Sequence, residues 1–351
     1  MDTMKAAVVV EPGRLEIREV PIPKPSGPYQ ALTKQEAASF CSSTDVKIAF
    51  NELPFVSEYP CILGHEGLGR VIEPGEKCRH LAVGDRVLRS TCVLPGDKLG
   101  DYTSGWGAFA EYGIVTDLQS MIEDLQFRAD SGMTVQHMQQ VVPADMPATD
   151  ATMLITLKEC LSSLQDAGMC GPQVRAPDKR VLVVGDGAVG LSFAVWAKIL
   201  GSPRTVIAGH HQSRLDHGLK LGLDAAVNTT GMTLAEAVPG EQFDIIIDAV
   251  GDGKIVEQAM AVVAGWGVIA VYGASMKMQS QVDMLAMPVG ASLMRATTNE
   301  PRAHPQVLAA CKLGLVRPKD FYSHVIPLER AAEGVELLRS REALKVVLTM
   351  E

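Results

Sequence analysis

The sequence predicts an α/β protein with two parts, a β-rich barrel-like domain and a domain built on a doubly wound parallel sheet. The chain has 351 residues, more than one hydrophobic core usually serves, so two domains are expected. Short β-rich runs broken by Gly, Pro and Asp fill residues 1 to about 150. From Arg180 onward, apolar strands alternate with helices, which is typical of a parallel sheet covered on both faces.

The first part contains four clear strand-like runs: KAAVVV, LEIREVPIP, GLGRVI and GDRVLRS. The glycines and prolines between them favour turns, so we expect these runs to form a twisted, barrel-like sheet.

The second part repeats a strand followed by a helix. The pairs are RVLVVG with AVGLSFAVWAKILG, RTVIAG with SRLDHGLKLG, DAAVN with TLAEAV, and FDIIIDAVG with KIVEQAMAVVAG, before a further strand, GVIAVYG. The pattern breaks at TTNEPRAHP, and two helical stretches lead to a last strand, ALKVVLTM. We expect this tail to return to the first domain, which gives a discontinuous domain of residues 1–156 and 297–351 and an inserted domain of residues 157–296.

Composition limits the classes of function. Hydrophobic residues at 47% and charged residues at 21% indicate a globular protein rather than a disordered one. The net charge of -9 argues against nucleic acid as a partner. No apolar run is long enough to span a membrane and no signal peptide is recognisable, so a cytoplasmic protein is expected. The seven cysteines are widely scattered, which argues against a disulfide framework.

The run VLVVGDGAVGLSF carries the strongest local motif. Gly185, Gly187 and Gly190 fit G-x-G-x-x-G between an apolar strand and a helix, the context that a Rossmann dinucleotide site requires. The first glycine permits the turn, the second admits a pyrophosphate, and the third lets the helix pack on the strand. Ala188 and Val189 open the helix whose N-terminus would face the phosphates. The competing interpretation is a purely structural turn.

The end of the second strand decides which dinucleotide binds. An NAD site usually carries a carboxylate there, whereas this chain has Gly209. His210, His211, Ser213 and Arg214 offer donors and positive charge for a 2′-phosphate. The sequence therefore favours NADP(H) over NAD(H), although the same residues could form only a solvated helix start.

The run PCILGHEGLG sets His65 beside Glu66 between glycines. Both side chains need polar partners if they are buried, and a zinc ion would satisfy both. Further ligands are available in Cys41 upstream and Glu159 downstream. Spacing alone does not select these two.

The order of several motifs resembles the zinc-dependent medium-chain dehydrogenase/reductase, or alcohol dehydrogenase, family, and particularly its polyol (sorbitol) and threonine dehydrogenase branches. The motifs are EAASFCSSTDVKI, LGHEGLGRVIEPG, VGDRV, GAFAEY, LKECLSS, VGDGAVG and KVVLTM. The resemblance runs over nearly the whole chain. It implies a GroES-like catalytic domain, a Rossmann domain, an alcohol or ketone substrate and a homo-oligomer, either a dimer or a tetramer.

The resemblance also implies a site. One catalytic zinc would be held by Cys41, His65 and Glu159, with Glu66 ligating the metal or holding its water. The second, structural zinc of many members has no counterpart, because only Cys92 lies between residues 81 and 159.

The resemblance assigns the proton path to the residues after Cys41. Thr44 would take the substrate proton, Asp45 would orient a ligand, and Lys47 would stand where many members carry the histidine that ends the relay. Lys345 would reach the cofactor phosphates or lie in solvent.

Two features depart from the family pattern. Members commonly read Cys-Gly-Thr-Asp, whereas this chain reads CSSTD, so Cys41 or Ser42 could fill the first ligand position; a thiolate suits zinc better. An additional segment, residues 118–147, would be a lid, a subunit contact or a surface excursion.

Three functions follow from these observations. The first is zinc-dependent hydride transfer between a secondary alcohol, such as a polyol, sugar or amino alcohol, and NADP(H). The second is a zinc-free NADPH-dependent quinone or enoyl reductase of the same superfamily, which needs neither His65 nor Glu159. The third is a dinucleotide-binding protein without catalysis.

Overall fold

The computed structural model describes most of the chain, namely residues 2–53, 58–125, 134–169, 178–275 and 277–350. The chain forms two compact units. Unit 1 comprises Met1–Ile155 and Pro318–Glu351, and unit 2 comprises Thr156–Arg317.

The strands, in chain order, are β1 (Thr3–Glu11), β2 (Arg14–Pro21), β3 (Gln30–Ser39), β4 (Cys61–Leu63), β5 (Glu66–Pro74), β6 (Arg86–Leu88), β7 (Lys98–Leu99), β8 (Tyr102–Gly105), β9 (Tyr112–Thr116), β10 (Val141–Val142), β11 (Val181–Val184), β12 (Thr205–Gly209), β13 (Ala225–Asn228), β14 (Phe243–Asp248), β15 (Val263–Val271), β16 (Ser292–Arg295), β17 (His324–Pro327) and β18 (Val346–Thr349). The α-helices are α1 (Thr44–Ala49), α2 (Leu118–Leu125), α3 (Val135–Met138), α4 (Ala148–Leu164), α5 (Ala188–Ile199), α6 (Gln212–Lys220), α7 (Leu234–Ala237), α8 (Gly253–Ala259), α9 (Glu300–Lys312) and α10 (Ala331–Arg339).

Unit 1 is rich in β-structure, as predicted. Its described strands form two sheets, one in the order β2-β1-β4-β8-β7 and one in the order β10-β6-β5-β3-β18-β17, with β9 also paired to β3. The rings of Phe40 and Phe109 meet edge to face, 4.4 Å between centroids, in the core of this unit. The C-terminal tail enters the second sheet through β18, which pairs with β3.

Unit 2 carries the predicted doubly wound sheet. The strand order is β13-β12-β11-β14-β15-β16, and every neighbouring pair is parallel. The order reverses between β11 and β14, and dinucleotides bind at such a switch point, beyond the carboxyl ends of the strands.

The second domain boundary lies later than the sequence-based division places it. Residues 297–317 belong to unit 2 rather than to the first domain. Helix α9 is held there by a buried ion pair between Lys158 and Glu300, 3.0 Å apart, and by Arg302, which donates to the Ser162 carbonyl at 2.8 Å. Separating a buried ion pair would leave a buried charge without its counterion, which is strongly destabilising, so this pair holds α9 against α4.

The additional segment 118–147 is only partly described, since residues 126–133 lie outside the described ranges. Its first helix, α2, is held to the rest of unit 1 by polar contacts. The Tyr29 hydroxyl donates to Asp124 at 2.9 Å, and Arg79 forms an ion pair with Glu123 at 2.9 Å. Across the described residues, no helix combines the length and apolar character that crossing a membrane requires.

Candidate metal centre and nucleotide site

Two glycines fix the turn that carries the adjacent histidine and glutamate. Gly64 has φ of +100°, and a Cβ there would lie 2.2 Å from the Phe109 ring. A Cβ on Gly67 would lie 2.6 Å from the Ser90 carbonyl oxygen. Only glycine fits these two positions, so the chain closes tightly on both sides of His65 and Glu66.

Three metal-ligating groups converge in unit 1. One ligand atom each from Cys41, His65 and Glu66 lies within 4.8 Å of the other two. Among the described residues, this is the one such group of three. A thiol, an imidazole and a carboxylate are the ligand types that zinc accepts, so the donor set fits that ion.

Asp45 contacts two members of this group. One carboxylate oxygen lies 2.7 Å from His65 Nδ1, and the other accepts the Cys41 backbone N–H at 2.7 Å. The first contact leaves His65 Nε2 to face the other ligands. Burial disfavours the imidazolium, but Asp45 and Cys41 outweigh it and hold the pKa of His65 well above its usual value.

Glu66 is buried and paired. The Lys345 ammonium lies 2.6 Å from one carboxylate oxygen, and the Ser39 hydroxyl donates to the same oxygen. The other oxygen lies 3.8 Å from His65 Nε2. Burial opposes ionisation, but Lys345 and His65 outweigh it, so the pKa of Glu66 is lowered. The alternative prediction that Lys345 lies in solvent is wrong, since this residue is 3% exposed.

The residues to which the resemblance assigns the proton path follow Cys41 in the chain. The Thr44 backbone N–H donates to Cys41 Sγ at 3.4 Å. Lys47 donates to the Ser43 hydroxyl at 3.1 Å, and burial lowers the pKa of Lys47. The alternative ligand, Ser42, is exposed and lines a cavity of 260 Å³ together with Lys47.

Two residues that sequence reasoning missed lie next to His65. The Trp106 ring lies 5.9 Å from the imidazole, and the Trp106 backbone has φ of +77°, which the side chains of Thr91 and Ser104 hold through hydrogen bonds. Arg89 is buried, has φ of +59°, and donates to the His65 carbonyl at 2.9 Å. Positive φ at non-glycine residues concentrates at functional sites, but no local sequence signal marks it.

Glu159 belongs to unit 2. It lies on α4, and its carboxylate accepts a hydrogen bond from the Tyr272 hydroxyl at 2.7 Å. A tyrosine donor holds the carboxylate in one orientation without neutralising its charge.

The glycine-rich loop of unit 2 has the geometry that its motif requires. Gly185 has φ of +121°, and a Cβ on Gly190 would lie 1.7 Å from the Gly185 carbonyl oxygen. Around Gly187 nothing lies within 4 Å of a built Cβ, so the backbone that begins α5 is open to a ligand. This loop fits a pyrophosphate, with Ala188 and Val189 in the first turn of the helix.

The residues proposed to select the dinucleotide surround an unexpected carboxylate. Asp186 accepts the backbone N–H groups of His210 and His211, each at 2.7 Å, and contacts the His211 ring at 3.0 Å. Arg214 lies 3.7 Å from the same carboxylate. The His210 side chain is exposed.

Comparisons with known proteins agree with this arrangement. The alcohol dehydrogenase GroES-like domain family matches residues 27–123, and the zinc-binding dehydrogenase family matches residues 188–310. An alcohol dehydrogenase of Rhizobium meliloti is 31% identical over 290 residues, which cover 77% of this chain and 77% of the relative. A sorbitol dehydrogenase of Bombyx mori is 25% identical over 376 residues, covering 99% of this chain and 98% of the relative.

A solved structure matches over the full fold. A zinc-binding dehydrogenase from Sinorhizobium meliloti, solved with bound NADP, superposes with a TM-score of 0.79 at 20% identity, over 99% of this chain and 100% of that one. The GroES-like and Rossmann folds predicted from the sequence are thereby confirmed. The chain belongs to the zinc-type medium-chain alcohol dehydrogenase family, and it is an NAD(P)-dependent dehydrogenase.

Proposed function

We propose that the protein transfers a hydride between a secondary alcohol and a nicotinamide dinucleotide at a single zinc site. The observation that carries this proposal is the convergence of Cys41, His65 and Glu66, with Asp45 orienting the first two. Glu159, the further ligand that the resemblance implies, is included in the proposal. When bound, zinc supplies a Lewis acid that lowers the pKa of an alcohol.

The chain's own residues bind and position the reactants. Asp45 holds the imidazole through Nδ1 so that Nε2 faces the other ligands, and Lys345 keeps Glu66 ionised beside it. Thr44 takes the substrate proton as its own hydroxyl proton leaves, and Lys47, whose pKa is lowered by burial, accepts the leaving proton as a neutral amine and passes it on. The glycine-rich loop binds the pyrophosphate and so orients the nicotinamide for transfer.

The proposed substrate class is a polyol, sugar or amino alcohol, supported by the sorbitol dehydrogenase relative. For the cofactor, the absence of an acid at Gly209 supports NADP(H), whereas the contacts of His211 and Arg214 with Asp186 do not.

One experiment distinguishes this proposal from its two rivals. Zinc-loaded and chelator-treated protein are each tested with a panel of secondary polyols plus NAD⁺ or NADP⁺, and with quinones and enones plus NADH or NADPH. Alcohol oxidation that requires zinc is the expected result. Quinone or enone reduction that survives metal removal would favour the zinc-free reductase. Nucleotide binding with no turnover of any substrate would favour a non-catalytic protein.

We also propose that unit 2 carries a contact between two copies of the chain. Strand β16 is the edge of the parallel sheet, and apolar side chains near it are exposed: Trp266 77%, Leu285 97% and Val289 81%. An exposed apolar sheet edge is a site at which another chain can pair, and in a two-fold symmetric dimer the same edge of each copy forms the contact. Light scattering should give at least a dimer, and Leu285→Arg with Val289→Arg should give a monomer; a monomeric wild type would contradict the proposal.

A further inference from the structure

We propose that Asp186, within the glycine-rich loop, recognises the adenosine ribose of the cofactor and makes the protein bind NAD(H) more tightly than NADP(H). This inference rests on the proposed dinucleotide function. In an NAD site, the acid that binds this ribose normally stands at the end of β12. Here the acid would come instead from the loop between β11 and α5.

Asp186 occupies the space that a side chain at the end of β12 would enter. A Cβ built on Gly209 would lie 2.3 Å from Asp186 Oδ2 and 2.6 Å from Asp186 Cγ. The nearest atoms to that Cβ all belong to Asp186. A carboxylate therefore stands at the end of β12 although the residue there is glycine, and this is where an NAD site places its acid.

Three donors near this carboxylate are already engaged by it. The backbone N–H groups of His210 and His211 both point at Asp186 Oδ2, and the His211 ring lies 3.0 Å from each carboxylate oxygen. A 2′-phosphate that used these donors would meet a second anion among them. A ribose hydroxyl, by contrast, can donate to the carboxylate, since an ionised carboxylate has more acceptor sites than these donors use.

The sequence-based preference for NADP(H) depended on the same region. It assumed that His211 and Arg214 were available to a 2′-phosphate, whereas both contact Asp186. The NADP-bound structure from Sinorhizobium meliloti is 20% identical and supports the fold only. The local charge arrangement thus favours the cofactor that lacks the phosphate.

The test measures binding rather than turnover. Dissociation constants for NADH and NADPH are determined by calorimetry on the zinc-loaded wild type and on Asp186→Asn. We expect the wild type to prefer NADH by about tenfold or more, and the variant to shift the ratio toward NADPH by about tenfold, the effect of losing roughly one charged contact. The matched control is Asp216→Asn, which removes an exposed charge from α6 and should leave the ratio unchanged.

A second variant tests the position of the charge. Asp186→Gly with Gly209→Asp removes the carboxylate from the loop and returns it to the end of β12, so it should keep the NADH preference. A wild type that binds NADPH as tightly as NADH, or an Asp186→Asn ratio equal to that of the wild type, would overturn this inference and leave the proposed function intact. A wild type that binds neither nucleotide would overturn both.

Discussion

The buried ion pair between Lys345 and Glu66 gives the most quantitative prediction. The charged atoms lie 2.6 Å apart, and the two side chains are 4% and 2% exposed. At an effective dielectric constant of about 20, their attraction is about 6 kcal/mol, and part of it offsets the cost of removing both charges from water. Replacing one partner leaves the other charge buried, so Lys345→Met should lower the free energy of unfolding by about 3–5 kcal/mol.

A double-mutant cycle separates this interaction from general packing effects. Glu66→Gln should cost a similar amount, because it leaves the buried Lys345 charge without the carboxylate that lies 2.6 Å from it. Lys345→Met with Glu66→Gln removes both charges, so the double variant should cost no more than either single variant, which corresponds to an interaction energy of at least about 3 kcal/mol.

The assay is urea unfolding followed by circular dichroism, with a chelator in all four samples so that metal binding does not contribute. Single variants whose effects add within about 0.5 kcal/mol would refute the reasoning, because they would mean that the two charges do not interact in solution.

Three further predictions concern the metal and nucleotide sites. Glu159→Gln should lose zinc and turnover while NADH affinity changes by less than about threefold, as elemental analysis and calorimetry would show; retained zinc would remove Glu159 from the site. Gly209→Ala should destabilise the wild type by about 1–3 kcal/mol but not the Asp186→Gly variant, in urea unfolding; equal costs in both would contradict the contact between these residues. Iodoacetamide should modify Cys41 in metal-free protein, and zinc should prevent this modification, as peptide mass mapping would show. Cys61 is the control: burial raises its pKa to about 12, so it should stay unmodified with or without zinc. Labelling of Cys41 that does not depend on zinc would count against its role as a ligand.

The parallel sheet could be read almost directly from the sequence. The runs VLVV, TVIAG and FDIIID correspond to β11, β12 and β14, because strands buried on both faces are continuously apolar. The helix predicted over KIVEQAMAVVAG is shorter, since α8 ends at Ala259 and Val263 begins β15. An apolar run of that kind suits a helix or a strand equally well, and only its neighbours decide.

The contacts that complete the candidate sites could not be read in this way. Lys345 contacts Glu66 because β18 and β5 begin beside each other, on the two sides of the end of β3, and Asp186 contacts the residues after β12 because β11 and β12 end beside each other. No spacing along the chain encodes such a meeting. The positive φ of Trp106 is likewise imposed by hydrogen bonds from Thr91 and Ser104, so composition around Trp106 gives no sign of it.

Zinc content measured on three proteins tests the metal site most directly. Purified wild type, Cys41→Ala and Ser42→Ala are loaded with zinc, desalted and analysed for metal per chain. We expect about one zinc in the wild type and in Ser42→Ala, and a loss of most of it in Cys41→Ala. A wild type with no zinc above background, or a Ser42→Ala variant that loses zinc while Cys41→Ala keeps it, would contradict the account.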